Sequence, residues 1–214
     1  GRSLPLLPTP DRGYLVAGER APASIRVEYP AQGLESFTLT LEKNPGDPFT
    51  VSFTGFPAWV SDPQVTQVDE NQMMVSGKDA GDRITNLTAG AVLVNLTLYG
   101  SGEGSGFLHC SLSNATTDDG RAYGSGYTAI PVISRELKAF SDGSGGEYQI
   151  PTDPDGDGRF EDVNGNGRAD FSDVALFFEN TGEMMRTEPW WLFDFDSNQV
   201  INLNDVIALF RLMA

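Results

Sequence analysis

Histidine and cysteine are nearly missing from this chain: its 214 residues include one of each, His109 and Cys110. A lone cysteine closes no internal disulfide, so sulfur neither staples the fold nor reports on its redox compartment. The two residues are adjacent in a strand-like run, where neighbours point to opposite faces, so they cannot work together as base and nucleophile. No run of about 18 apolar residues occurs, which leaves no segment to cross a bilayer as a helix. Basic residues are few: 14 Lys and Arg face 30 Asp and Glu, a net charge of −16, which argues against nucleic acid or an anionic membrane as partner. The first 150 residues hold one tryptophan, Trp59, thin material for a sugar-stacking platform and expected instead to pack in a core or loop. Gly1-Arg2-Ser3 is not a secretory leader, so for a secreted form the leader is expected either to be lost before this chain begins or to be left out of this sequence.

Residues 12–135 read as β throughout. Ser36-Phe37-Thr38-Leu39-Thr40-Leu41-Glu42 and Phe49-Thr50-Val51-Ser52-Phe53 alternate polar and apolar, as strands with one buried face do. Alternation places Val92, Val94, Leu96 and Leu98 on one face of a later strand, and Leu108, Cys110 and Leu112 on one face of the next. Short strands between Gly, Pro, Asp and Asn turns, with no helix among them, predict an antiparallel β-sandwich. Asn86, Asn95 and Asn114 each begin an Asn-X-Thr sequon, although Asn95 lies inside a strand-like run. Residues 1–11 are expected to be an N-terminal tail. Residues 136–150 include Ser141-Asp142-Gly143-Ser144-Gly145-Gly146, a linker composition that as free coil would span about 20 Å.

The acid is concentrated at the end: residues 151–214 hold 13 acids and 4 bases, against 17 and 10 in residues 1–150. Within it one pattern is written twice, 32 residues apart. Asp162 to Asp173 and Asp194 to Asp205 each place Asp or Asn at positions 1, 3, 5, 9 and 12 of a twelve-residue loop. A hard cation such as Ca²⁺ takes six to eight oxygens, and such a loop supplies them from these side chains and the position-7 carbonyl. The expected ligands are Asp162, Asn164, Asn166, Arg168 (carbonyl), Asp170 and Asp173, then Asp194, Asp196, Asn198, Val200 (carbonyl), Asn202 and Asp205. Each loop runs into an apolar stretch. Val174, Phe177 and Phe178, and likewise Val206, Leu209 and Phe210, fall at i, i+3, i+4 and predict two short helices packed on these residues. Position 6 is Gly167 in the first copy and Gln199 in the second. A sharp turn there favours φ above zero, so the second site is expected to be the weaker. Trp190, Trp191 and Phe160 are expected to fill the small core or its seam.

Upstream, Asp153-Pro154-Asp155-Gly156-Asp157-Gly158-Arg159 repeats the opening of the pattern. It predicts either a third Ca²⁺ on Asp153, Asp155, Asp157 and the Arg159 carbonyl, or the acidic, Gly-rich end of a linker.

Loops closed by Asp rather than Glu, each leading into a helix with none evident just before it, duplicated in tandem, resemble the dockerin family over residues 151–214. That resemblance implies a Ca²⁺-binding two-helix module that docks onto a cohesin through loop positions 10 and 11, here Phe171, Ser172, Leu203 and Asn204. The N-terminal region resembles a cohesin in the order of its landmarks: Gln32-Gly33-Leu34, then Phe37-Thr38-Leu39-Thr40-Leu41, then Ala91 to Leu98, then Asp118-Asp119-Gly120. The expectation is therefore mainly β plus small α: a cohesin-like jelly-roll sandwich followed by a dockerin-like module. The function implied is non-catalytic adhesion or scaffolding outside cells, where free Ca²⁺ is abundant. The partner is a cohesin of another protein or of a second copy. A carbohydrate-binding sandwich tethered by its dockerin, taking polysaccharide as ligand, is the alternative. A small glycoside hydrolase is a lesser one, since no motif marks a catalytic carboxylate pair.

Overall fold

A computed structural model describes residues 3–146 and 148–214. Two compact units meet at the Ser134–Arg135 boundary. The first is an antiparallel β-sandwich of ten strands: β1 (Leu6–Thr9), β2 (Gly13–Val16), β3 (Arg20–Val27), β4 (Ser36–Glu42), β5 (Phe49–Gly55), β6 (Ser61–Gln67), β7 (Gln72–Lys78), β8 (Ala91–Gly100), β9 (Gly104–Thr116) and β10 (Gly126–Arg135). One sheet has the order β1-β3-β8-β5, the other β2-β10-β9-β4-β7-β6. β4 matches its expected span residue for residue, burying Phe37, Leu39 and Leu41 while Thr38 and Thr40 stay partly exposed. Facing them in the core are Ile25 and Val27 of β3 and Leu96 and Leu98 of β8.

Two bulges break the expected alternation. Ile25 pairs with Val94 but Arg26 with Val92, so Leu93 is the extra residue and the inward phase of β8 shifts there. Val94, Leu96 and Leu98 face the core as expected, but beyond the bulge it is Ala91 and Leu93 that are buried, and Val92 turns half outward. In β9, Leu108, Cys110 and Leu112 are inward, and a bulge opposite Thr38 and Leu39 hands the next inward place to Ala115. Of the expected tail, residues 1–2 lie outside the described residues, and the rest is not free: Leu4 and Leu6 are buried, and β1 pairs along β3. Trp59 packs beside Phe37 with its indole N–H donating to Val92 O at 3.0 Å, a core role rather than a platform.

The second unit contains α1 (Phe171–Thr187), a single 3₁₀ turn (Trp190–Leu192) and α2 (Leu203–Leu212). Among the described residues no helix is long and apolar enough to cross a membrane. Its core is aromatic. Phe177 stacks on Phe193 and meets Phe195 edge-on at 5.4 Å, while Phe140 and Phe160 each meet Phe193 edge-on. Trp190 is buried and packs at right angles to Trp191. α1 buries Val174, Leu176, Phe177 and Met184, and α2 buries Val206 and Leu209. Phe178 and Phe210, expected in the helix seam, are instead 58% and 48% exposed. At 100° per residue each sits 100° round the helix from the buried Phe177 or Leu209, on the side shared with Phe171 or Leu203. Residues 136–146 and 148–150 likewise differ from a free linker, residue 147 lying outside the described residues. Phe140 is buried, Asn180 Nδ2 donates to Ser141 O, and Gln149 N donates to Asn164 O at 3.0 Å. An aromatic in the middle and free backbone groups at the end dock this segment on the helical unit despite its glycines.

Candidate metal centres

The two twelve-residue loops share one hydrogen-bond plan. Asp162 at position 1 accepts from Asn166 N (2.9 Å) and Gly167 N (2.8 Å); Asp194 accepts from Asn198 N (3.0 Å) and Gln199 N (2.8 Å). The position-12 carboxylate reaches back across the loop in both. Asp173 accepts from Asn164 N and Asp170 N, and Asp205 from Asp196 N and Asn202 N, all between 2.8 and 3.2 Å. The position-5 amide oxygen accepts from the position-7 N–H in each: Arg168 to Asn166, Val200 to Asn198. Positions 4 and 6 are left-handed in both, with φ of 70° and 86° at Gly165 and Gly167 and 59° and 66° at Ser197 and Gln199. Gln199 therefore does hold the backbone expected of position 6, with a side chain attached.

Position 9 of each loop is also the N-cap of the following helix, and position 12 is N3. Asp170 with Asp173, and Asn202 with Asp205, each close a capping box. Carboxylates in a first helical turn are favoured by the helix dipole. The same residues thus start the helices and supply ligand positions of the loops, and in the second loop the carboxylates are shown to converge. Asp194, Asp196 and Asp205 offer carboxylate oxygens that all lie within 4.8 Å of one another.

The fit to a cation rests on what is buried. Asp162, Asp173 and Asp205 are each 0% exposed. Burial pushes the Asp173 carboxyl above the usual carboxylate range, and Asp162 and Asp170 add to it against the N–H donors of Asp170 and Asn164. Burial does the same to Asp205, reinforced by Asp196 and Asp194. Among the described residues no ion pair is made by any of these carboxylates. Buried like charges without a counter-charge are unfavourable, and a bound divalent cation reverses that sign. The donors are all oxygen, the chemistry Ca²⁺ selects. Bound there, Ca²⁺ would draw each loop and the first turn of its helix around one centre.

Of the residues expected to face a partner, Phe171 and Leu203 are exposed, at 69% and 57%. Ser172 is tied into its own loop, accepting from Asn164 Nδ2 and donating to Asp170. Asn204 N donates to Asn202 Oδ1 and the residue is exposed. The exposed face extends further than those positions. Phe171, Phe178, Leu203, Ile207 and Phe210 are all exposed, and Phe171 meets Phe210 edge-on at 6.3 Å, joining the two helices. The 32-residue step relates Phe171 to Leu203 and Phe178 to Phe210, so the repeat itself could have found this strip.

In the upstream segment Asp153 accepts from Gly156 N and Gly158 N, both at 2.8 Å, and Arg159 N donates to Asp157 Oδ1 at 2.8 Å. Carboxylate oxygens of Asp153, Asp155, Asp157 and Glu161 lie within 4.8 Å of one another. Glu161 was missed in the sequence, although it stands at position 9 counted from Asp153. On the sandwich, Cys110 is buried, and burial pushes its thiol up to about 12, whereas His109 faces outward and its Nδ1 lies 2.7 Å from the Tyr127 hydroxyl. They are on opposite faces, and no dyad forms.

No family model matches the chain, and no curated protein matches it. Solved structures of similar chain path include cohesins. One is a type I cohesin–dockerin complex of Clostridium thermocellum, at 16% identity over 63% of this chain and 96% of that one, with a TM-score of 0.45. Another is the cohesin module of a Clostridium perfringens family 33 glycoside hydrolase, at 12% identity over 64% and 99%, TM-score 0.49. A third is a non-cellulosomal cohesin of the archaeon Archaeoglobus fulgidus, at 16% identity over 62% and 92%, TM-score 0.45.

Proposed function

We propose that the protein is a non-catalytic scaffold or adhesion component working outside cells, where Ca²⁺ holds its C-terminal unit folded and the helices dock onto a cohesin-type sandwich. The observation that carries this reading is the repeat of Asp162–Asp173 in Asp194–Asp205, with the same backbone N–H groups donating to positions 1, 5, 9 and 12, and with both helices leaving apolar side chains in solvent. A small aromatic core and buried, uncompensated carboxylates make folding depend on metal. An exposed apolar strip on such a unit is the kind of surface that binds protein. The sandwich, in turn, would accept a dockerin-type partner, so copies of the chain could associate head to tail.

The test is titration of Ca²⁺ into the metal-free chain with far-UV circular dichroism, followed by capture of a panel of cohesin modules and of this chain's own residues 1–134. Helix content rising with Ca²⁺, and capture abolished by chelator and weakened at least tenfold by Phe210→Asp, is the expected result. Capture indifferent to chelator, or none from any module, would remove the docking reading. A second reading, polysaccharide binding by the sandwich, is favoured by the outward row Phe107, His109 and Tyr127, whose rings stack at 6.1 and 6.2 Å. Affinity electrophoresis on soluble polysaccharides tests it, with retardation lost in Tyr127→Ala.

A further inference from the structure

We infer that residues 153–161 form a third Ca²⁺ site, closed by Glu161 rather than by a position-12 residue. Four carboxylates, from Asp153, Asp155, Asp157 and Glu161, present oxygens within 4.8 Å of one another. An acidic cluster alone would be a solvated loop. Glu161 is different: it is 6% exposed, its Oε2 has no hydrogen-bond partner, and its carboxylate belongs to the cluster. A buried carboxylate oxygen with no donor is unfavourable unless something positive faces it. The nearest base in the chain does not serve. Arg159 sends its guanidinium away, donating to Phe195 O and Ser197 Oγ of the second loop.

The backbone supports the same reading. Gly156 and Gly158 are left-handed at positions 4 and 6, as in both downstream loops, and Arg159 follows at position 7, whose carbonyl is a ligand in such loops. Position 12 of this count is Asn164, and it is committed elsewhere: its N–H goes to Asp173 and its Nδ2 to Ser172. Glu161 at position 9 therefore replaces the missing closing carboxylate. Ala169, Leu212 and Met213 wall the same depression as Asp155, Asp157 and Glu161, so charges there are less screened than on open surface. Only oxygen donors are offered, by a flexible loop with four carboxylates, which suits Ca²⁺ better than the smaller, strictly octahedral Mg²⁺.

Because Arg159 is anchored on the second loop and Thr152 N donates to Asp162 O of the first, an ion here would clamp the entering chain to both. The site shares no proposed ligand with those loops. Counting Ca²⁺ on the full chain by native mass spectrometry and isothermal titration tests it. Three ions are expected in the unaltered protein and two in both Glu161→Gln and Asp155→Asn, with helix content in Ca²⁺ retained. Asp155 is exposed, so its variant decides the matter if Glu161→Gln fails to fold. Two ions in the unaltered protein, or three in Asp155→Asn, would overturn the third site and leave the two helix-leading loops standing. No bound ion at all would overturn both.

Discussion

Gln199 and Gly167 occupy the same place in the two loops, and both are left-handed, at φ 66° and 86°. A residue with a Cβ in that conformation costs about 1 kcal/mol relative to Gly. Where a loop orders only on binding metal, that strain is met at the moment of binding and reports in the affinity. Gln199→Gly should therefore tighten the second site by about fivefold; an unchanged Ca²⁺ titration would sink the argument. Position 4 makes the opposite point. Ser197 carries a side chain there at φ 59°, and Arg159 uses it. At Gly165 a Cβ would come 2.5 Å from Ile150 O and 2.7 Å from Gln149, because the incoming chain crosses that spot. Copying one loop into the other with Gly165→Ser should cost about 1–3 kcal/mol, read from the melting curve in saturating Ca²⁺. A full-stability variant would mean that the incoming chain gives way there.

The helices show how far a sequence pattern reaches and where it stops. Asp or Asn at five fixed positions was enough to mark the loops and the helix starts, since the N-cap and N3 roles use the same residues. Period-2 alternation marked β4, β5, β8 and β9. What alternation cannot register is a bulge, so Val92 was assigned to the core and Leu93 took its place. A similar ambiguity affects Phe177 and Phe178, both apolar and adjacent in a helix whose buried arc is narrower than its apolar one. Only the position of Phe193 and Phe195 chooses Phe177. Phe177→Ala should cost about 3–5 kcal/mol by opening a cavity among those rings, while Phe178→Ala should stay within about 0.5 kcal/mol. Denaturant unfolding followed by helix signal separates them, and equal costs would refute the assigned face. Glu161 was legible by counting to nine from Asp153. That its Oε2 is buried without a donor was not, because the depression it lines is also walled by Leu212 and Met213, some 50 residues further on.

Two units with separate cores should answer separately to metal and to acid. Chelator is expected to lower the melting transition of the C-terminal unit and leave that of the sandwich in place, since every proposed ligand lies beyond Ser134. Acid gives the sandwich its own signature. The Asp118 carboxyl is held above its ordinary range, by burial first and then by Asp82, Asp79, Glu35 and Asp119. A raised folded pKa means the folded form takes up that proton before the unfolded chain does. Acidification therefore favours folding as the pH falls through the folded pKa, and the gain is complete below the unfolded value of 3.8. Asp119, held below its range by its bond from Thr117 and then by Arg121, acts in the reverse sense, but only below its ordinary value. In chelator at constant ionic strength, the Asp118 contribution should raise the sandwich transition modestly as the pH falls from neutral through the carboxylate range toward 3.8. Asp118→Asn should remove most of that slope by raising the transition at pH 7 rather than lowering it at acid pH. A slope that survives in Asp118→Asn would assign it to another group, and a transition that falls with acid in the unaltered protein would contradict the sign.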